Sequence, residues 1–323
     1  MKKVKISTPV TVDDDGFALD YDNSVMLVGS CFTERIGERL QSLRFDVNMN
    51  PFGILYNPFS MAEALCRCLD DRAIDDSVLF NHEGLWHSWL HHGFFSNVDK
   101  EACLEGCNKA LHDAHVFMQR CDTVILTFGS AWYYKLNDGA CVGMTVANCH
   151  KVPSACFEKC LASVDDVVAV WSPLVERLIS QGKRVLFTVS PVRHDAYGTH
   201  GNQLGKAVLL LAIERLQHMA AGRGVYYFPA YEIVVDELRD YRYYAEDLLH
   251  PSTVAEEIVW QRFAQSYFSS SAMKICEKVD RLNAMQAHRV MNPDSEAAKK
   301  FYANRKTLQD EIENLLKKDG VSQ

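Results

Sequence analysis

Short apolar runs alternate with longer amphipathic stretches along most of this chain. The apolar runs are typical of strands buried on both faces of a sheet, and they lie at 25–28, 123–128 and 184–192, with shorter strands expected within 45–50 and 225–238. Amphipathic helices are predicted between them, near 33–43, after Pro58, and near 100–119, 164–181 and 202–221. This alternation predicts an α/β fold with a mostly parallel sheet of about five strands, covered by helices on both faces.

Two hairpins interrupt the alternation. One is predicted over 78–92, with its turn at 81–84, and a second over 132–144, with its turn at 137–139. The first hairpin gathers tryptophan and histidine residues, among them His92. Such a group can form the rim of a sugar or acyl site, although aromatic residues of hairpins more often belong to the core.

The pattern changes near the C-terminal end of the chain. We therefore expect one domain over residues 1–272 and a charged helical tail over 273–323. Phe301, Leu308, Ile312 and Leu315 form a narrow apolar stripe along the tail. The stripe can pack on its own domain, or on a second subunit in a homo-oligomer.

Composition and charge exclude some classes of function. The net charge of −8 and the pI near 5.8 argue against a nucleic-acid surface. The sequence shows neither a signal peptide nor an apolar run of membrane-spanning length, so we expect a cytoplasmic protein without a membrane partner. Eleven cysteines at scattered spacings, without a CxxC pair, indicate reduced thiols that fill small apolar sites.

The turn after the first strand holds the first candidate for chemistry. Gly29 and Ser30 follow the strand directly, and a helix begins shortly afterwards. Open α/β sheets bind ligands at the carboxyl ends of their strands, where backbone amides and a helix N-terminus favour negative charge. Ser30 is therefore a candidate nucleophile; the alternative is a serine that only caps the helix.

A carboxylate and an imidazole near the end of the α/β region are candidates for the groups that would activate this nucleophile. Asp247 and His250 are three residues apart in the sequence DLLHPS. At this spacing the imidazole can accept a proton from a serine while the carboxylate orients it. The alternative is that the pair merely caps the helix that Pro251 and Ser252 introduce.

Five short motifs, taken in order, resemble the GSCFA-domain family within the SGNH/GDSL hydrolase superfamily. They are GSCF at 29–32, NPFG at 50–53, NCHK at 148–151, SPVRH at 190–194 and DLLHP at 247–251. The resemblance spans about residues 5–270. It implies a flavodoxin-like three-layer α/β/α sandwich, and ester hydrolysis through an acyl-serine, with Ser30 as nucleophile, His250 as base and Asp247 as its orienting acid. It implies no metal and no cofactor.

The same resemblance implies an oxyanion hole, with one departure. Backbone near Ser30 and the N–H of Gly53 match two of the expected donors. The third is normally the Asn of a GxND motif, but Ala131 stands at that position. The loss of one donor typically costs about 2.7–4 kcal/mol of transition-state stabilisation, so a substitute is expected. Asn148 is the preferred candidate and Ser130 the second.

Other polar residues are weaker candidates for substrate binding. They are Ser130, His150, Lys151, Arg193, His194 and His92. His150 can equally be a structural histidine, and Arg193 can form a surface ion pair. Cys31 and Cys149 suggest a thiol nucleophile, which we disfavour. The histidine spacing does not indicate a metal site.

Three functions thus remain open. The first is a serine-dependent ester hydrolase, with small acyl groups on carbohydrate as the guessed substrate. An acyltransferase would use the same three residues. A non-catalytic binding domain with an incomplete oxyanion hole is the competing class.

Overall fold

Five parallel strands form the central sheet in the computed structural model, which describes residues 7–13, 16–137 and 139–318. Two smaller antiparallel sheets lie beside it. The strands in chain order are β1 (Ser24–Gly29), β2 (Asp46–Met49), β3 (Leu79–His82), β4 (Leu85–Ser88), β5 (Thr123–Phe128), β6 (Trp132–Leu136), β7 (Thr145–Val146), β8 (Phe157–Leu161), β9 (Arg184–Val189) and β10 (Val225–Phe228).

The order of the central strands fixes where a site can lie. Across the sheet they run β10-β9-β5-β1-β2, and every neighbouring pair is parallel. This is the flavodoxin-like doubly wound order, in which the chain changes direction across the sheet between β1 and β5. Folds of this order bind ligands in the crevice at the carboxyl ends of those two strands. The prediction of a mostly parallel sheet of about five strands is confirmed.

The helices of the described residues connect and cover these strands. They are α1 (Cys31–Ser42), α2 (Pro58–Asp70), α3 (Lys100–Arg120), α4 (Val164–Ser180), α5 (Gly198–Ala220), the short α6 (Ala230–Glu232) running into a π-helical turn (Ile233–Leu238), α7 (Thr253–Tyr267), α8 (Ser270–Ala287) and α9 (Glu296–Lys318). Within the described part of the chain, none of these helices has the length and apolar character needed to span a membrane.

Two hydrophobic cores lie on opposite faces of the central sheet. Successive side chains of a strand point to opposite faces, so Met26 and Val28 enter one core while Val25 and Leu27 enter the other. Helices α2 to α5 pack into the first core, and α1, α7, α8 and α9 into the second. The three-layer α/β/α arrangement expected from the sequence is therefore present.

The C-terminal helices belong to the second core. Leu308 and Ile312 of α9 are buried there, and Leu315 is partly buried against it. The apolar stripe of the tail thus packs on its own chain. The boundary predicted after residue 272 falls inside α8, which begins at Ser270.

The smaller sheets only partly follow the prediction. The hairpin of β3 and β4 is confirmed. The second predicted hairpin is wrong in extent. β6 pairs on one edge with β7, which lies beyond the predicted end at 144. On its other edge it pairs with β8, a strand that was not predicted. Asp138 of the predicted turn lies outside the described residues. The resulting three-stranded sheet carries aromatic residues to the carboxyl end of β5.

Candidate active site

A cleft of about 530 Å³ opens at the carboxyl ends of the central strands. It combines the turn after β1, the segment after β5, the loop after β7, the segment after β9 and the loop before α7. The cleft brings together several predicted site residues, namely Ser130, Asn148, Arg193, His194 and His250. Cys31, the residue directly after Ser30, also lines it.

Ser30 occupies the N-cap position of α1, but its side chain does not cap the helix. The helix begins at Cys31, two residues earlier than predicted, and the Ser30 side chain makes no capping hydrogen bond. The residue is 2% exposed, and its Oγ has no hydrogen-bond partner among the described residues. Helix capping therefore does not explain why a serine stands here.

The turn that holds Ser30 requires glycine at position 29. A Cβ there would lie 2.5 Å from the carbonyl oxygen of Thr127. The N–H of Gly29 donates to Oδ1 of Asn50 at 2.9 Å, and its carbonyl accepts the N–H of Leu55 at 3.0 Å. The end of β1 is thus fixed from both sides before the chain turns into α1.

Two further buried polar atoms at this turn lack a partner among the described residues. They are Oγ1 of Thr33 and Nδ2 of Asn50. Asn50 is 9% exposed and has a positive φ of 44°, which Asn tolerates better than most residues. Its Oδ1 is committed to Gly29, so its NH2 group is the unpaired part. Sequence reasoning missed Asn50, although it stands in the NPFG motif.

Asp247 and His250 form a pair beside the cleft, and of the two it is His250 that lines the cleft. Nδ1 of His250 lies 2.6 Å from Oδ2 of Asp247, and Oδ1 of Asp247 accepts the backbone N–H groups of His250 at 3.0 Å and Leu249 at 2.9 Å. These hydrogen bonds lower the pKa of Asp247 to about 2, and the backbone N–H of His250 makes the largest contribution. The carboxylate is thus ionised at neutral pH and holds the proton of His250 on Nδ1, which leaves Nε2 free to accept another.

The helix-cap alternative for this pair does not apply. Ser252 is the N-cap residue of α7, and its side chain accepts the N–H of Ala255 at 3.3 Å. Asp247 lies outside that cap. No hydrogen bond joins Ser30 and His250, since Oγ of Ser30 is unpaired within the described part of the chain.

The predicted oxyanion donors differ in their availability. The N–H of Gly53 donates to the carbonyl of Asn50 at 2.8 Å and closes a turn, so in this structure it is already occupied. Asn148 lines the cleft, and its Oδ1 accepts the N–H of His150 at 2.8 Å, which leaves its NH2 group as the donor. Oγ of Ser130 accepts the N–H of Trp132 at 3.0 Å and retains its own proton for a further partner.

Three predicted substrate-binding residues lie away from the described cleft lining. His150 is 7% exposed, and its Nε2 lies 3.0 Å from the carbonyl oxygen of Ser88; burial lowers its pKa to about 4. These contacts are those expected of a structural histidine. Nδ1 of His92 accepts the N–H of Phe94 at 3.3 Å. Lys151 has a positive φ of 61° and an exposed side chain.

Arg193 and His194 line the cleft with different surroundings. The guanidinium of Arg193 lies over the rings of Tyr241 and Tyr244, at 5.6 and 5.5 Å from their centroids. Burial, followed by the charge of Lys206, lowers the pKa of His194 to about 4. His194 is therefore neutral at physiological pH.

The thiol groups in the cleft are poor nucleophiles. Cys31 and Cys149 both line it. Burial raises the pKa of Cys31, and it raises that of Cys149 to about 11, so both stay protonated near neutral pH. All eleven cysteines are free.

Aromatic side chains that the sequence analysis did not single out form one wall. The rings of Trp132 and Tyr197 stack with centroids 4.7 Å apart, and Nζ of Lys159 lies 4.9 Å from each. The Tyr197 hydroxyl donates to that of Tyr134 at 3.2 Å. These residues are far apart in sequence, so no local sequence pattern predicts this aromatic wall. Among the described residues, no group of three His, Cys, Asp or Glu side chains is arranged to hold a metal ion.

The family comparison agrees with the motifs. A profile of the GSCFA family matches residues 24–263. No match is found among curated proteins. Similar solved structures include a GDSL-like lipase from Bacteroides thetaiotaomicron, with 12% identity, coverage of 76% of this chain and 87% of that chain, and a TM-score of 0.39. Another is a carbohydrate esterase family 3 from Talaromyces cellulolyticus, with 10% identity, coverage of 80% and 99%, and a TM-score of 0.35.

Proposed function

We propose that this chain, which belongs to the GSCFA family, is a serine-dependent ester hydrolase. Ser30 is the nucleophile, His250 the general base and acid, and Asp247 the residue that orients His250. The observation that carries the proposal is the contact between Asp247 and His250, with 2.6 Å between Oδ2 and Nδ1, because His250 lines the same cleft as Cys31, the neighbour of Ser30. A cleft at the carboxyl ends of β1 and β5 is where this strand order binds ligands.

The proposed reaction has two stages. Oγ of Ser30 forms a bond to the ester carbonyl carbon while its proton moves to Nε2 of His250, and an oxyanion develops on the carbonyl oxygen. The intermediate expels the alcohol, which takes the proton from Nε2, and leaves an acyl-serine. Water then repeats the sequence and releases the acid.

The oxyanion needs donors that are placed before the reaction. Backbone N–H groups near Ser30 supply one part. The NH2 group of Asn148 is the proposed substitute for the side chain missing at Ala131, because Asn148 lines the cleft and its amide is oriented by the N–H of His150.

Ser30 must become accessible before it reacts. Its side chain is buried, but Oγ makes no hydrogen bond to the described protein that would have to break. A change of the serine rotamer toward the cleft, where Cys31 already lies, therefore meets little resistance from polar contacts.

The cleft lining supports a substrate with a flat or ring-shaped apolar face. The stacked rings of Trp132 and Tyr197 can pack against the C–H face of a sugar or against an aryl group. Small acyl groups on a carbohydrate are the substrate class that we propose.

One observation favours a second candidate function. Ser30 is 2% exposed, its Oγ has no partner among the residues that the structure describes, and Ala131 stands where a donor is expected. A domain that binds its ligand without turnover would have these same features.

Covalent labelling separates the two candidates. The folded protein is treated with a fluorophosphonate at about pH 8, where a free imidazole is neutral, and the modified residue is mapped by mass spectrometry. We expect label on Ser30, and loss of short p-nitrophenyl ester turnover in Ser30→Ala but not in Cys31→Ala. Absence of label with folded protein overturns the enzyme proposal. Activity lost only in Cys31→Ala would transfer the nucleophile to the thiol.

A further inference from the structure

A lysine is completely enclosed beneath the cleft. Lys206 of α5 is 1% exposed, and its Nζ donates to the carbonyl oxygens of Gly129 and Ser190, each at 2.7 Å. Gly129 follows β5, and Ser190 follows the neighbouring β9. One ammonium group thus joins the carboxyl ends of two adjacent central strands.

Within the described residues, the charge of this lysine has no acidic partner. No ion pair joins Lys206 to a carboxylate in the described ranges of the chain. Its other neighbours are the ring of Tyr231, whose centroid lies 5.7 Å from Nζ, the thiol of Cys31 and the imidazole of His194. Burying an unpaired ammonium is costly, and such groups are concentrated at functional sites.

The two carbonyl groups are held where the proposed chemistry takes place. The Gly129–Ser130 peptide is fixed on its other side as well, because the N–H groups of both residues donate to the carbonyl of Tyr56, at 2.9 and 3.0 Å. Ser130 and His194 line the cleft, and Cys31 adjoins Ser30. The positive charge of Lys206 therefore lies directly behind the cleft floor.

We propose that Lys206 is a positioning residue of the site: its ammonium group fixes the Gly129 and Ser190 carbonyl groups behind the cleft, and its buried positive charge favours negative charge on a substrate bound there. The proposal rests on the proposed function in one respect, since that negative charge is the oxyanion of the tetrahedral intermediate. A charge behind the floor compensates in part for the donor missing at Ala131.

The chain offers a matched control at the opposite end of the sheet. Lys183 is 6% exposed, and its Nζ donates to the carbonyl oxygens of Met118 and Cys121, at 2.6 and 2.7 Å. It precedes β9 and so lies at the amino end of that strand, away from the cleft. Lys183 and Lys206 make the same kind of contact, but only Lys206 is placed to act on the site.

The first experiment compares Lys206→Met with Lys183→Met by ester hydrolysis, with circular dichroism to verify folding. Below pH 7, where Lys206 is charged, we expect kcat to fall about tenfold in Lys206→Met with KM nearly unchanged, a smaller loss than that of a direct oxyanion donor. No change of kcat is expected in Lys183→Met. Equal kcat values per folded molecule in the two variants overturn the proposal.

The pH profile adds a readout that a merely structural role would not move. Burial lowers the pKa of Lys206 to about 7. The lysine therefore loses its charge as the pH rises through that value, so kcat of the wild type should fall on the alkaline side. Lys206→Met should lack this alkaline fall. A fall of the same size in the variant contradicts the role of the charge.

The second experiment does not depend on hydrolysis. Imidazole titration by NMR is carried out on the wild type and on both methionine variants. Because the charge of Lys206 lowers the pKa of His194, that pKa should rise in Lys206→Met and stay unchanged in Lys183→Met. An unmoved His194 overturns this inference even where the wild type is active, whereas an inactive wild type with a shifted His194 overturns the proposed function alone.

Discussion

The backbone N–H of Arg193 donates to the carbonyl oxygen of Leu249 at a distance of 3.0 Å. This bond joins the segment after β9 to the loop that carries His250. The guanidinium of Arg193 strengthens the connection, since it lies over Tyr241 and Tyr244 and Nη1 lies 3.4 Å from the carbonyl of Leu248. The position of the proposed base thus depends on Arg193.

Replacing Arg193 with alanine keeps the backbone hydrogen bond to Leu249 but removes the guanidinium contacts with the loop of His250 and with Tyr241 and Tyr244. It should therefore impair turnover more than binding. We expect kcat to fall about ten- to a hundredfold with KM little changed, because small displacements of a catalytic group reduce rates by such factors. Arg242→Ala is the control, since Arg242 is exposed and pairs with Asp240 at 3.0 Å. A raised KM with an unchanged kcat would instead assign Arg193 to substrate binding, as the sequence suggested.

Asp247→Asn should nearly abolish turnover while leaving the fold intact. The amide can still accept a backbone N–H through Oδ1, but it no longer holds the proton of His250 on Nδ1, and a change of this kind costs about 10⁴-fold in a serine protease triad. Asp240→Asn serves as the control. The pKa of Asp247, lowered to about 2, also predicts that its protonation causes no loss of kcat above about pH 4. Full activity of Asp247→Asn would remove the pair from the mechanism.

Asn148→Ala tests the proposed substitute donor. Loss of one oxyanion donor should lower kcat by about 10²- to 10³-fold. Ser130→Ala is the parallel variant, because Ser130 also lines the cleft. A rate for Asn148→Ala within about threefold of the wild type is far below the donor penalty, and it would direct attention to Ser130 or to the unpaired NH2 group of Asn50.

Gly53 and Gly84 provide a matched pair for stability. Both have positive φ angles, +73° and +81°, but a Cβ at Gly53 would collide with His92, whereas at Gly84 it would meet no atom within 4 Å. Urea denaturation should give a loss of about 1–2 kcal/mol for Gly84→Ala from backbone strain alone. Gly53→Ala should lose about 1–3 kcal/mol more through overpacking. Equal losses would show that His92 moves aside freely.

The central sheet was predictable from the sequence, whereas the small sheet beside the cleft was predicted only in part. β1, β5 and β9 are apolar runs buried on both faces, and such runs are recognisable without knowledge of the fold. β8 mixes exposed and partly buried residues, and it pairs with β6 across a separation that reaches from Trp132 to Leu161. A short strand of this kind is defined by its partner, so its own residues do not predict it.

The candidate site also contains features that could be predicted from the sequence and features that could not. Asp247 and His250 are three residues apart, so their contact follows from local geometry and could be predicted. The turn that holds Ser30 is contacted by Thr127 of β5 and by Asn50, directly after β2, which are remote in sequence, so no local pattern predicts that Ser30 is buried. Lys206 escaped notice because a lysine in an amphipathic helix is normally exposed.

Three buried polar atoms, in Ser30, Thr33 and Asn50, lack a hydrogen-bond partner in the described part of the chain, which has a consequence for ligand selectivity. A buried polar group left without a partner typically costs about 1–3 kcal/mol of folding free energy, and these atoms lie around a single turn at the end of β1. A ligand that presents an oxygen atom to this turn would recover part of this free-energy penalty on binding. A hydrocarbon ligand of the same size would recover none of it. We therefore expect a preference for an oxygen-bearing ligand that is set by the folded turn itself, and substitutions that stabilise the turn without a ligand should weaken that preference.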